Sequence, residues 1–101
     1  MTPSEIIAAR RQGLDLLKFF PAAAGGGIGA LQAFGSVFPD VSFMPTGGIG
    51  APNLADYLGL PNVAMCGGTW IAPRDLVAAG SFDEITRRAS EAASIVRSVR
   101  P

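Results

Sequence analysis

The stretch Gly13-Leu14-Asp15-Leu16-Leu17-Lys18-Phe19-Phe20-Pro21-Ala22-Ala23-Ala24-Gly25-Gly26-Gly27 decides the fold, and it carries the only lysine of the chain. Leu14 to Phe20 is too continuously apolar to have a solvated face. It therefore reads as a strand buried on both sides, of the kind found in parallel sheets. The glycine run that follows ends the strand, and Ile28, Leu31 and Phe34 then fall at helical spacing, giving a helix that ends between Gly35 and Phe38. A strand that leads into a helix in this way is one βα unit.

The unit recurs outward in both directions. On the amino-terminal side, Thr2-Pro3-Ser4-Glu5 has the form of a capping box with proline in the first turn. It predicts a helix to about Gln12 that Gly13 stops in a left-handed conformation. On the other side, the turn Pro39-Asp40 precedes a second strand, Val41 to Thr46, and a glycine loop, Thr46-Gly47-Gly48-Ile49-Gly50. A short helix from Pro52 to Leu58, closed by Gly59, leads to a third strand, Asn62 to Cys66, and at once to Gly67-Gly68-Thr69. Pro73 to Ala79 predicts one or two helical turns. Ser81-Phe82-Asp83-Glu84 reads as a second capping box, opening a helix to about Val99 with Phe82, Ile85, Ala89, Ala92, Ala93 and Val96 as its apolar stripe. No linker interrupts residues 1–101, which read as a single segment. Repeated βα units imply an α/β fold with a parallel sheet. A (β/α)8 barrel takes roughly 200 residues or more, so three such strands make less than half of one. The chain also opens on a helix, as a piece cut from inside a longer protein would.

Composition narrows the function classes. With 101 residues, 49% of them hydrophobic, and eight basic residues against eight acidic ones, the chain reads as globular. It has no net field to attract nucleic acid or an anionic membrane. The single cysteine, Cys66, excludes an internal disulfide, and with no histidine the usual metal ligands are missing, so no metal cofactor is expected. The amino-terminal residues do not read as a signal peptide, and no uncharged apolar run of about 18 residues at helical spacing is present. The expectation is a soluble cytoplasmic protein.

Alternation along the first strand puts Leu14, Leu16, Lys18 and Phe20 on one side and Asp15, Leu17 and Phe19 on the other. Lys18 lies near the carboxyl end, where α/β sheets and barrels bind ligands. Two readings of it stay open on the residues alone. A desolvated lysine, its pKa lowered toward roughly 7 to 8, supplies a neutral amine that attacks a carbonyl to form a Schiff base. Alternatively, the stem lies along apolar surface while the ammonium reaches water or an acid. The loops at Thr46-Gly47-Gly48 and Gly67-Gly68-Thr69 are equally double. Glycine N–H groups, a hydroxyl and a helix start can converge on an anion, or the glycines can simply serve tight turns. Two such loops on consecutive strands, each with a threonine beside its glycine pair, favour phosphate.

Other residues read more plainly. Cys66 is a small core residue and Trp70 packs. Arg10 and Arg11 end the first helix, and Arg87, Arg88, Arg97 and Arg100 occupy the solvated face and end of the last one. None of the eight acids falls at a strand's carboxyl end. Any proton transfer at a carbonyl substrate would draw on water, another chain or additional residues.

Lys18-Phe19-Phe20-Pro21-Ala22, then Pro45-Thr46-Gly47-Gly48-Ile49, then Gly67-Gly68-Thr69-Trp70, resemble in order and spacing the carboxyl-terminal half of the 2-keto-3-deoxy-6-phosphogluconate (KDPG) and 4-hydroxy-2-oxoglutarate (KHG) aldolases. The resemblance implies a class I aldolase on a (β/α)8 barrel, here a partial barrel with about three parallel strands. The family enzyme is normally a trimer and cleaves KDPG to pyruvate and glyceraldehyde 3-phosphate without a metal. It implies Lys18 as the Schiff-base lysine on the sixth barrel strand, and Phe20 and Thr46 as substrate-binding residues. The backbone of Gly47, Gly48 and Gly68, with the Thr69 hydroxyl, would hold the phosphate. Thr69 stands where the family commonly has serine. The family's proton-moving glutamate and carboxylate-holding arginine belong to earlier strands and have no counterpart here, so the isolated chain is expected to be inactive or weak. The alternative is a noncatalytic phosphate-binding or assembly-only α/β fragment.

Overall fold

A computed structural model describes residues 1–100. The first helix, α1 (Pro3–Arg11), forms as the sequence predicts. The Thr2 hydroxyl accepts the Glu5 N–H at 3.3 Å, and the Glu5 carboxylate accepts the Thr2 N–H at 2.8 Å. At its other end Gly13, at φ +84°, lets the Gly13 N–H reach the Arg10 carbonyl and the Leu14 N–H reach that of Ala9. This paired closure satisfies carbonyls that the helix itself cannot.

Strand β1 (Leu16–Phe19) follows, then α2 (Gly27–Val37) and β2 (Ser42–Pro45), which pairs parallel to β1 with Lys18 opposite Met44. The remaining elements are three helices, α3 (Leu54–Leu58), α4 (Arg74–Ala78) and α5 (Phe82–Val99), with α5 packed on α3 and α4. The predicted third strand, Asn62 to Cys66, is reduced to two isolated parallel bridges, Phe43 to Val63 and Thr46 to Gly67. Between them β2 advances three residues while the third segment advances four. The extra residue breaks the ladder as a bulge does. The sheet is therefore two parallel strands with a third segment bridged to it, part of a (β/α)8 barrel.

The core lies on one side of this sheet. Leu17, Phe19, Phe43, Pro45 and Val63 are buried against the helices with Ile6, Leu31 and Phe34. Phe34 sits with its ring centroid 6.0 Å from Phe19, edge-on, and 5.7 Å from Phe43. The expectation that β1 is buried on both sides is not met: burial alternates along it, and Leu16, Lys18 and Phe20 are exposed. In a closed barrel that second face is covered by the opposite strands, and this chain carries none of them.

The last helix also differs from its predicted pattern. Ser81 makes no side-chain cap; its N–H, which a capping-box glutamate would accept, donates instead to the Leu76 carbonyl at 2.9 Å, and the Glu84 carboxylate pairs with Arg87 and Arg88. Phe82, Ala89, Ala93 and Val96 are exposed, and the packed stripe is Ile85, Arg88, Ala92, Ile95 and Val99. Two arginines expected on its solvated side instead hold the chain together. Arg88 donates to the Trp70 carbonyl at 2.7 Å. Arg100 donates to the carbonyls of Leu58, Leu60, Val63 and Ala64, tying the end of α5 to the end of α3 and the start of the third segment. Arg10 pairs with Asp40 at 2.5 Å, fastening α1 to the turn before β2.

Candidate functional site

Lys18 and Phe20 project from the carboxyl end of β1 on its exposed side, and the Lys18 ammonium lies 5.7 Å from the centroid of the Phe20 ring. Phe20 is 61% exposed, and Leu16, one step below Lys18 on the same side, is 47% exposed. Lys18 makes no ion pair among the described residues; the acids that do pair there are Asp40 with Arg10, Glu84 with Arg87 and Arg88, and Glu91 with Arg87. The desolvation that the sequence suggested for Lys18 is thus not supplied by this chain. Phe19 and Pro21 stand beside it in sequence, but the Phe19 ring turns into the core.

Phe20 links Lys18 to the first glycine loop. A Cβ placed on Gly47 would lie 3.2 Å from the Phe20 ring and 3.2 Å from the Pro21 Cα, and Gly47 has φ +100°. Gly48, at φ +75°, leaves even less room, since a Cβ there would come within 2.5 Å of that of Ala23. The two loops after β1 and β2 are stitched together. The Ala22 N–H donates to the Thr46 carbonyl at 2.8 Å and the Ala23 N–H to that of Gly47 at 3.2 Å. Both glycines thus have a local reason to lack a side chain: the neighbouring loop lies directly against them.

The second glycine loop closes over the first. The Thr46–Gly67 bridge turns the Gly47 N–H toward the third segment. A Cβ on Gly67 would stand 2.7 Å from the Thr46 Oγ1. That hydroxyl oxygen is buried and has no partner among the described residues, an arrangement that costs free energy unless something else satisfies it. The Trp70 ring lies so close over Gly68 that a Cβ there would fall 2.2 Å from it. Trp70 does pack, as the sequence suggests, and its Nε1 is likewise buried and without a partner among the described residues. The N–H groups of Gly48, Gly68 and Thr69 donate to no acceptor among the described residues, and Thr69 itself is exposed. The carboxyl end of the sheet therefore gathers Lys18, Phe20, Thr46 and both glycine loops into one neighbourhood.

Sequence reasoning passed over Asn53. Its Oδ1 accepts the Gly50 N–H at 2.8 Å, and its Nδ2 donates to the Gly48 carbonyl at 2.9 Å. Asparagine just before a short helix was a signal for such a role. Cys66 is half-buried, and burial pushes its thiol above the usual range against the opposing pull of Arg100. A raised thiol is a poor nucleophile. No cluster of three metal-ligating side chains forms among the described residues, and no helix there is long and apolar enough to cross a membrane.

Comparison with known proteins places this geometry. The KDPG and KHG aldolase family profile matches residues 1–88. The chain is 49% identical over 89 residues to a 2-dehydro-3-deoxy-phosphogluconate aldolase of Pseudoalteromonas atlantica, covering 88% of this chain and 41% of that one. It is 48% identical over 91 residues to the KHG/KDPG aldolase of Escherichia coli, covering 90% and 43%. The KDPG aldolase of Legionella pneumophila, seen with pyruvate as a covalent carbinolamine intermediate, superposes with a TM-score of 0.85 at 42% identity, over 93% of this chain and 44% of that one. That of Zymomonas mobilis with 3-phosphoglycerate gives 0.82 at 36% identity, over 93% and 44%. The chain thus spans well under half the length of the relatives it matches, and it belongs to the KDPG and KHG aldolase family.

Proposed function

We propose that this chain supplies the Schiff-base and phosphate-binding portion of a class I aldolase site that cleaves KDPG to pyruvate and glyceraldehyde 3-phosphate, with 4-hydroxy-2-oxoglutarate as a second substrate. The carrying observation is the placement of Lys18 at the carboxyl end of β1, on the sheet side that this chain leaves open, with Phe20 between it and the glycine loops. The carbinolamine seen in the Legionella relative is the adduct such an amine forms with pyruvate.

In the proposed sequence the neutral Lys18 amine adds to the C2 carbonyl of the keto acid, and the carbinolamine loses water to give an iminium ion. That cation draws in the electron pair of the C3–C4 bond as it breaks. The aldehyde leaves as the C4 hydroxyl gives up its proton, C3 of the enamine left on Lys18 takes up a proton, and water then hydrolyses the resulting iminium to pyruvate and the free amine. Phe20 and Thr46 flank the keto acid. The backbone of Gly47, Gly48 and Gly68 and the Thr69 hydroxyl hold the phosphate. No metal takes part. The step from C4 hydroxyl to aldehyde needs a base, and the acids of this chain lie on other elements, so the base comes from water or from the part of the barrel that this chain does not span. Residues 1–101 act as one segment of that barrel, which works in the cytoplasm as a homotrimer.

Reduction with borohydride in the presence of pyruvate tests the reading. A stable adduct on Lys18 is expected, and an intact mass that does not change would sink it. A second reading, a noncatalytic phosphate-binding segment, is favoured by the contrast between two fully built glycine loops and a lysine without an acid beside it. It expects saturable phosphate binding in Lys18→Ala with no adduct in the parent chain.

A further inference from the structure

We infer that Asn53 is a positioning residue for the phosphate cradle, and that it adds the Ile49 N–H to the donors the cradle presents; the inference rests on the phosphate reading proposed above. A trans peptide unit is planar, so its C=O and N–H point in opposite directions, and holding the one aims the other. The Ala23 N–H holds the Gly47 carbonyl, which turns the Gly48 N–H away from the loop after β1. Asn53 Nδ2 holds the Gly48 carbonyl at 2.9 Å, which turns the Ile49 N–H away from α3. The same side chain takes the Gly50 N–H on its Oδ1 at 2.8 Å. Asn53 thus grips the loop on both sides of Ile49 and removes Gly50 from the set of free donors. The Ile49 side chain is buried in the core, which pins the unit from its other end. Neither the Gly48 nor the Ile49 N–H has an acceptor among the described residues. Two adjacent, fixed and unpartnered N–H groups form a concave site for an anion. Fixing them before the ligand arrives saves the ordering cost that binding would otherwise carry.

The test is titration of the chain with inorganic phosphate, followed by the amide resonances of Gly48 and Ile49, in the parent chain, Asn53→Ala and Asn53→Ser. Serine keeps an oxygen that can accept the Gly50 N–H but cannot span to the Gly48 carbonyl, so it preserves the turn if alanine does not. Phosphate is expected to move both resonances in the parent chain and to bind about tenfold more weakly in the serine variant, while resonances of β1 and β2 stay in place and pyruvate trapping on Lys18 is unaltered. Equal phosphate affinity in parent and variants overturns the role of Asn53 and leaves the cradle standing. Parallel loss of phosphate binding and pyruvate trapping overturns it as well, as a structural effect. A parent chain whose Gly48 and Ile49 resonances ignore phosphate overturns the cradle and the inference together.

Discussion

The two sides of the β1–β2 sheet differ as sharply as two proteins might. The helix side carries Leu17, Phe19, Phe43, Pro45 and Val63, all buried, and holds the molecule together through the Phe19, Phe34 and Phe43 rings. The other side carries Leu16, Lys18 and Phe20, all exposed, and is where the chemistry is proposed to occur. In parallel sheets both faces are normally covered. Here one face finds its cover within the chain and the other does not. The edge of β1 is open too: the Asp15 and Phe19 carbonyls bond to β2, so by alternation the backbone groups of Leu16 and Lys18 face the free edge. Stability and reactivity are thus assigned to opposite sides of four-residue strands, and substitutions on the two sides should have separable effects.

The largest effect is expected on the helix side. Phe43→Ala removes a fully buried ring that contacts Phe34. It should cost about 3–5 kcal/mol, enough in a chain of this size to show as loss of the cooperative transition in urea. The loop between the two sides comes next. Gly48→Ala must place a Cβ at φ +75° and 2.5 Å from that of Ala23. The expected loss is roughly 1–3 kcal/mol in denaturation, with the β1 and β2 loops parting before the core does. On the open side Lys18→Ala should alter stability by no more than about 0.5 kcal/mol while abolishing the borohydride-trapped pyruvate adduct. A large stability loss there would erase the contrast between the two sides.

The smallest effect lies far from both. Hydrogen bonds from Arg87 and then Arg88 lower the Glu84 carboxyl to about 2 from an ordinary 4.5. Its folded value is depressed, so the contribution is complete above the unfolded value and drains away as pH falls from about 4.5 to about 2. Glu84→Gln should therefore flatten the acid limb of a stability-versus-pH curve and change the neutral region little. A limb of unaltered steepness would remove the Glu84 pairs from the account.

Much of the local structure was legible because short-range rules govern it. The Thr2 capping box, the Gly13 stop, the two strands and the helix from Gly27 to Val37 each follow from residues within a few positions of one another. The helix at Ser81 was misread for the same reason: serine and glutamate at the right spacing predict a box, but the Ser81 N–H goes to the Leu76 carbonyl and the Glu84 carboxylate to Arg87 and Arg88. Arg100 looked like a dipole partner because nothing in its neighbourhood reveals four carbonyls that arrive from residues 58 to 64. Asn53 was missed because its two bonds matter only once the glycine loop folds back on it.

By itself the sequence determined the βα rhythm, the place of Lys18 at a strand's carboxyl end, the two glycine loops and the family to which those motifs point, because alternation, turn chemistry and motif spacing are properties of neighbouring residues. Only the tertiary structure decided which side of β1 is covered, where the third segment fails to complete a ladder, and which carbonyls aim the amides of the Gly48 loop. Burial and peptide orientation depend on what arrives from elsewhere in the chain. An apolar strand cannot announce that the residues meant to cover one of its faces are not among its neighbours.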